Sequence, residues 1–109
     1  MIGRLVHLVA AFGVAIAAAA QTSPVPRVID ARFACAEGKS VHATFVNGAA
    51  SSVRLVLSDG RKLSLPQARS GSGARYANGD GSFVFWNKGK TAFIEEGGKT
   101  TYADCVTSR

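Results

Sequence analysis

Residues 40 to 57 read SVHATFVNGAASSVRLVL and contain the pattern that decides the fold. Val41, Ala43 and Phe45 alternate with polar residues, and the second half of the stretch alternates in the same way. Such alternation is typical of half-buried β-strands. The Asn-Gly pair between the two halves favours a tight turn, because glycine readily adopts positive φ. The segment therefore predicts two antiparallel strands with one face in a core.

The same pattern continues along the rest of the chain. Short β-prone runs are separated by residues such as Gly, Asp and Asn, and no long run after residue 20 has a helical period. The predicted strands are residues 30–36, 40–46, 52–57, 62–65, 74–77, 82–86, 91–95 and 100–105. We expect an all-β fold, a small eight-stranded antiparallel β-barrel, because closure removes exposed sheet edges.

The first 20 residues predict a secretory signal peptide. A basic start that includes Arg4 is followed by an apolar run, which closes on the small residues Ala18, Ala19 and Ala20 before polar Gln21. A membrane anchor is the alternative, but a spanning helix needs about 20 apolar residues. No Cys follows the alanines, so we expect a soluble periplasmic protein without a lipid anchor. Residues 21–29 are expected to form a flexible leader before one domain at residues 30–109.

Charge and cysteine content indicate which class of protein this is. The chain has 13 basic and 7 acidic residues, a formal charge of +6, and only Arg4 of the basic residues lies in the predicted signal peptide. Small exported domains often need a covalent clamp. In an oxidising compartment we expect one disulfide between Cys35 and Cys105, worth about 4 kcal/mol. Two free thiols would require a reducing compartment. The sequence has no metal-ligand spacing and no cofactor motif, so we expect neither a bound metal nor a cofactor.

Two segments carry the candidate functional residues. Residues 67–73 read QARSGSG, which by composition alone favours a mobile connector. Residues 83–90 read FVFWNKGK, an aromatic strand that ends in a turn whose lysines are usually only solvated. We expect the Tyr76 ring to pack on the barrel rim and its hydroxyl to hydrogen-bond the loop backbone. Ser72 would then be displayed on a protruding tip.

These two segments resemble the signature of the bacterial C-type lysozyme inhibitors, a family with membrane-bound and periplasmic branches. The residues that match its motifs, Ser-Gly-x-x-Tyr and Tyr-x-x-x-x-Lys-Gly, are Ser72, Gly73, Tyr76, Lys88 and Gly89. Phe83 replaces the first Tyr of the second motif, which removes a hydroxyl and keeps the ring. The resemblance spans about residues 33 to 105. It implies an eight-stranded antiparallel barrel that inhibits a C-type lysozyme and is not an enzyme.

The resemblance also implies roles for individual residues. Ser72 and Lys88 would enter the target's cleft, where Ser72 bonds the general acid and Lys88 pairs with the ionised carboxylate. The residues expected to support these contacts are Gly73, Arg75, Tyr76, Trp86 and Gly89. The expected partner is a C-type lysozyme, with no nucleic acid and no membrane insertion. Lysozymes of this class are typically basic, so a basic inhibitor would be repelled at long range unless Glu95 and Glu96 form an acidic face.

Three other functions fit parts of the sequence. A cationic envelope-binding module for cell-wall or lipopolysaccharide groups would use the same basic rim. Single-stranded nucleic acid could stack on the aromatic residues, but export makes that partner a poor fit. A nucleophilic pair of Ser72 and His42 is the weakest alternative, because His42 is expected on the solvent side of a strand and no nucleophile elbow is present.

Overall fold

Eight antiparallel strands form a closed barrel in the computed structural model, which describes residues 25–108. The strands are β1 (Arg27–Ala34), β2 (Ser40–Asn47), β3 (Ser52–Leu57), β4 (Lys62–Ala68), β5 (Ala74–Ala77), β6 (Phe83–Lys88), β7 (Thr91–Glu96) and β8 (Lys99–Thr107). Each strand pairs with the next along the chain, and β8 returns to pair with β1. A single 3₁₀ turn, Ala36–Gly38, joins β1 to β2. The predicted all-β, eight-stranded antiparallel barrel is confirmed.

The predicted strands differ from the observed ones mainly at their ends. β1 begins at Arg27, so residues 27–29 of the predicted leader are part of the sheet, where Ile29 lies opposite Phe45. β4 continues beyond residue 65 to Ala68. In both places a neighbouring strand satisfies the backbone donors and acceptors, which extends pairing past the apolar pattern. The predicted signal peptide at residues 1–20 and the leader residues 21–24 lie outside the described residues.

Between residues 25 and 108 the chain contains no helix with the length and apolar character needed to cross a membrane.

An aromatic cluster fills the barrel interior. Phe85 on β6 is fully buried, and its ring centroid lies 5.9 Å from that of Phe33, 6.1 Å from that of Phe45 and 6.2 Å from that of Tyr76. Burying a side chain of this size stabilises the fold by about 1.5–3 kcal/mol. Because side chains alternate along a strand, the burial of Phe85 directs the next residue, Trp86, to the outside of the barrel.

The predicted disulfide between Cys35 and Cys105 is present. It lies at the seam between β1 and β8, where only two residue pairs are in register, Phe33 with Thr107 and Ala34 with Val106. The bond therefore fastens the barrel at one of its two shortest strand pairings, since β4 and β5 are also joined by only two pairs.

The connections between strands alternate between the two ends of the barrel, because every strand is antiparallel to the next. We call one end the tip, which carries the connections at residues 48–51, 69–73 and 89–90. We call the opposite end the base, which carries the connections at residues 35–39, 58–61, 78–82 and 97–98. Both segments with candidate functional residues, 69–73 and 88–90, therefore lie at the tip.

Candidate functional site

The register of the β5–β6 hairpin brings the two motifs together. Ala74 at the start of β5 lies opposite Asn87 near the end of β6. The residue before Ala74, Gly73, therefore meets the residue after Asn87, Lys88. Ser72 directly precedes Gly73 in the same loop, and both Ser72 and Lys88 are exposed. Two residues that are 16 positions apart in the sequence thus become neighbours at the tip.

Gly73 allows this close approach. Its φ is +67°, and a Cβ added there would lie 2.6 Å from the carbonyl oxygen of Asn87, 2.7 Å from Cγ of Lys88 and 3.3 Å from Nε1 of Trp86. Real Cβ atoms essentially never come within 3.0 Å of such neighbours. Only glycine meets both the space and the backbone requirement, so the loop can lie directly against β6.

Three hydrogen bonds hold the loop at residues 69–73, one from the Trp86 indole and two that involve the Ser70 hydroxyl. Nε1 of Trp86 donates a hydrogen bond to the carbonyl oxygen of Ser72 at 2.9 Å. The Ser70 hydroxyl donates to the same carbonyl at 2.5 Å and accepts from the backbone N–H of Ser72 at 3.2 Å. These bonds use the backbone of Ser72. Its hydroxyl makes no hydrogen bond to any other residue between 25 and 108, so it is available to a partner.

The turn that carries Lys88 is fixed by its neighbours. The Asn87 side-chain amide donates to the carbonyl oxygens of Gly89 at 3.1 Å and Thr91 at 3.0 Å. The Thr91 hydroxyl donates to the carbonyl oxygen of Lys88 at 2.9 Å. Gly89 has a φ of +60°, which closes the turn between β6 and β7. The backbone at Lys88 is therefore well anchored although its side chain is exposed.

The Lys88 ammonium lies over an aromatic surface. Nζ is 5.1 Å from the centroid of the Trp86 ring, and the guanidinium of Arg75 is 5.8 Å from the same centroid. The Trp86 ring in turn stacks on Phe93, with centroids 5.8 Å apart and an interplanar angle of 29°. Cation–π contacts at exposed sites are worth about 0.5–1 kcal/mol. Lys88 makes no ion pair with the described residues, so its charge is uncompensated.

Tyr76 does not support the loop as predicted. Its ring is only 3% exposed and packs in the core, 5.8 Å from the ring of Phe45. Its hydroxyl makes no hydrogen bond to the loop within the described residues, and burial raises the pKa of that hydroxyl. The prediction of a Tyr76 hydrogen bond to the loop backbone is wrong, and Trp86 provides that bond instead. The physical reason is that Tyr76 faces Phe85 inside the barrel, whereas Trp86 faces outward.

Phe83, where the family motif has Tyr, lies far from the tip. It begins β6 at the base, whereas Lys88 ends the same strand at the tip. The Phe83 ring is buried and lies 5.8 Å from the guanidinium of Arg61. The hydroxyl that a Tyr would carry at position 83 would therefore lie at the base, at the opposite end of the barrel from the tip.

His42 is also remote from Ser72. It lies near the base end of β2, where its Nε2 is 3.2 Å from Oδ1 of Asp30 on β1. The side chain is partly exposed, as expected for a strand residue that faces outward. A nucleophilic pair of Ser72 and His42 is therefore ruled out by their placement at different ends. The described residues contain no cluster of three His, Cys, Asp or Glu side chains that could hold a metal ion.

Charge is distributed unevenly between the two ends of the barrel. The cationic residues of the tip and the strand ends beside it are Arg27, Arg69, Arg75, Lys88 and Lys90. The three tip connections contain no acidic residue. At the base, acidic and basic side chains are mixed, which leaves the excess positive charge of the protein concentrated at the tip.

Glu96, one of the two residues expected to form an acidic face, is paired with Arg61. Arg61 donates two hydrogen bonds to the Glu96 carboxylate, at 2.7 and 2.9 Å, and a third to Asp59 at 2.8 Å. The Arg61 guanidinium lowers the pKa of Glu96, and the Thr101 hydroxyl adds to this effect with a hydrogen bond at 2.7 Å. Glu96 is therefore ionised and paired in a clamp at the base.

Comparison with known proteins gives one family. The family model described as "Membrane-bound lysozyme-inhibitor of c-type lysozyme" matches residues 33–102, which include both tip segments. A curated relative, the membrane-bound lysozyme inhibitor of C-type lysozyme from Yersinia enterocolitica, is 51% identical over 53 residues. That match covers 49% of this chain and 43% of the relative, so the chain spans less than half the length of that protein.

A solved structure has the same fold. The crystal structure of Pseudomonas aeruginosa MliC in complex with hen egg white lysozyme matches with a TM-score of 0.65, over 90% of this chain and 99% of that chain. The identity is 22%, so this likeness concerns the fold alone. Because the family model matches more than half of its residues, the chain belongs to the family described as membrane-bound lysozyme-inhibitor of c-type lysozyme.

Proposed function

We propose that this protein inhibits a C-type lysozyme by inserting Ser72 and Lys88 into the catalytic cleft. The observation that carries the proposal is that Ser72 and Lys88 lie on adjacent segments of the cationic tip, where neither the Ser72 hydroxyl nor the Lys88 ammonium has a hydrogen-bond or ion-pair partner among the described residues. Family membership supports it, as do the names of the Yersinia relative and of the Pseudomonas complex.

The chemistry of a retaining glycosidase cleft suits these two groups. Such a cleft holds one protonated carboxyl, the general acid, and one ionised carboxylate. The Ser72 hydroxyl accepts the proton of the general acid in a hydrogen bond, and the Lys88 ammonium donates to the ionised carboxylate. The inhibitor then occupies the place of the sugar without offering a glycosidic bond. Inhibition is reversible and competitive.

The surroundings of the two groups suit this role. The tip connections carry no acidic residue that could compete for Lys88, and Arg75 adds a second cation over the same Trp86 ring. The bonds to Ser72 use its backbone and leave its hydroxyl free. A partner with an acidic groove therefore meets a surface of opposite charge at short range.

The proposal also concerns location. The names of the family and of the relative include the words "membrane-bound". We propose that this chain acts in the periplasm as a soluble member of the family, since no Cys follows the predicted cleavage position. Fractionation of cells that express the full chain, with mass spectrometry of the product, tests this. A product with an acyl group, or one found only with membranes, would contradict it.

The decisive experiment titrates hen egg white lysozyme with the oxidised protein and measures residual lysis of cell walls. Removing one partner of a buried charged pair costs about 2–5 kcal/mol, and about 1.4 kcal/mol corresponds to tenfold in affinity. Lys88→Ala should therefore raise the inhibition constant at least tenfold, and by more than Ser72→Ala does. Lys62→Ala and Ser64→Ala are matched controls, because both residues are exposed on β4. Unchanged inhibition by both tip variants would refute the proposal.

Envelope binding is the second candidate, favoured by the tip's excess of cations over acidic residues. The two functions separate in a pull-down that compares immobilised lysozyme with purified peptidoglycan and lipopolysaccharide. Retention on the envelope material together with no inhibition of lysozyme would favour this second function.

A further inference from the structure

Among residues 25–108, Trp86 is the one side chain that contacts both candidate inhibitory residues. Its Nε1 donates to the carbonyl oxygen of Ser72 at 2.9 Å, and its ring lies 5.1 Å from Nζ of Lys88. The side chain projects outward from β6, between Arg75 on β5 and Phe93 on β7. A single aromatic residue thus lies between the loop of one motif and the turn of the other.

From this arrangement we infer that Trp86 is a positioning residue, which fixes Ser72 and Lys88 relative to each other before the target is met. The inference rests on the proposed function. A Ser- and Gly-rich loop has many conformations in solution, and ordering it during binding weakens affinity. A loop that is already bonded to a rigid side chain loses less entropy when it binds. The hydrogen bond from Trp86 connects this loop to β6.

The contacts of Trp86 suit it to this role in three ways. Stacking on Phe93 at 29° and 5.8 Å restrains the indole ring. The absence of a Cβ at Gly73 lets the loop reach the indole nitrogen. The hydrogen bond goes to the carbonyl of Ser72, so the Ser72 hydroxyl stays free for the target.

Trp86→Phe tests the hydrogen bond separately from the aromatic ring. Phenylalanine keeps a ring beneath Lys88 but has no N–H to donate to Ser72. One neutral hydrogen bond corresponds to about 2- to 12-fold in affinity, so the inhibition constant for hen egg white lysozyme should rise by that factor. The variant should fold, because Trp86 lies outside the core, and its thermal unfolding midpoint checks this.

A double-mutant cycle identifies the route of the effect. If Trp86 acts through Ser72, Trp86→Phe should weaken inhibition little further in a Ser72→Ala background. In a Lys88→Ala background the full loss should remain, since phenylalanine keeps the ring that Lys88 contacts. An equal loss in both backgrounds would indicate a general structural role and would overturn the inference.

A second readout needs no lysozyme. Trp86 is the only Trp in the sequence, so its indole N–H gives one resonance in an ¹H–¹⁵N spectrum of the free protein. We expect that proton to exchange slowly with solvent, both in the original protein and in Ser72→Ala, which keeps the carbonyl. Exchange at the rate of a free indole would overturn the inference.

These outcomes distinguish the positioning role of Trp86 from the proposed function. If Ser72→Ala and Lys88→Ala weaken inhibition and Trp86→Phe does not, the proposed function stands and the positioning role is overturned. If none of the three variants changes inhibition, the proposed function itself is refuted and the positioning role with it.

Discussion

Substituting Gly73 by Ala should separate the two tip motifs without changing either Ser72 or Lys88. The added Cβ would lie 2.6 Å from the Asn87 carbonyl oxygen, whereas ordinary contacts begin at 3.4 Å. The loop must therefore move by about 0.8 Å at this point. The φ of +67° adds strain for a residue with a side chain, about 1–2 kcal/mol.

The loop can relieve both the close contact and the backbone strain by moving away from β6. This movement breaks the Trp86 hydrogen bond and displaces the Ser72 hydroxyl. Functional groups work only when held within about 0.5 Å of the productive geometry. We therefore expect the inhibition constant to rise at least about tenfold, which corresponds to 1.4 kcal/mol. The core lies elsewhere, so the free energy of unfolding should fall by no more than about 1–2 kcal/mol, or roughly 5 to 15 °C in melting midpoint.

The assay pairs lysozyme inhibition with thermal unfolding of the same preparations. Gly71→Ala is the matched control, because Gly71 lies in the same loop and a Cβ there meets no atom within 4 Å. A folded Gly73→Ala variant whose inhibition constant stays within about twofold of the original would show that the close approach of loop and strand is irrelevant to binding. The reasoning about the tip would then be refuted.

Three further predictions concern the fold and the charges. Replacing Cys35 and Cys105 by Ser opens a loop of 70 residues, so the free energy of unfolding measured by chemical denaturation should fall by about 4 kcal/mol. A fall of less than about 1 kcal/mol would contradict this. Because Arg61 lowers the pKa of Glu96, this clamp stabilises the fold above the unfolded pKa and weakens as pH falls through the folded one. Glu96→Gln should thus flatten the acid limb of a stability–pH profile, by less than about 1 kcal/mol because this ion pair is partly solvated. An unchanged acid limb would contradict this. Because the protein has a net positive charge and Glu96 is paired with Arg61, association with a basic lysozyme should quicken from low to moderate salt. Stopped-flow rates that fall would show that the cationic tip and acidic cleft dominate instead.

The strands could be predicted from the sequence because their signals are local. Residues 52–57 and 74–77 are strands within the predicted limits, since alternation and the adjacent turn residues specify them without help from distant parts of the chain. The start of β1 at Arg27 was missed because it depends on pairing with β2, which supplies backbone hydrogen bonds whatever the side chains are.

The support of the tip was harder to predict. The sequence offers two aromatic residues that could reach the loop, Tyr76 and Trp86, and the choice depends on which one faces the core. The register that pairs Tyr76 with buried Phe85 settles it. The fate of Glu96 likewise depends on Arg61, which is 35 positions away in the sequence and meets it only after the barrel closes.

The concentration of positive charge at one end of the barrel affects how the protein approaches a partner. A body whose excess charge lies off its centre experiences a torque in an external field, not only a net force. Near the negative potential of an acidic groove, the barrel would rotate until Lys88 and Arg75 point forward. Even while the net charges of two basic proteins repel, each close encounter would therefore be biased toward the one orientation that can dock.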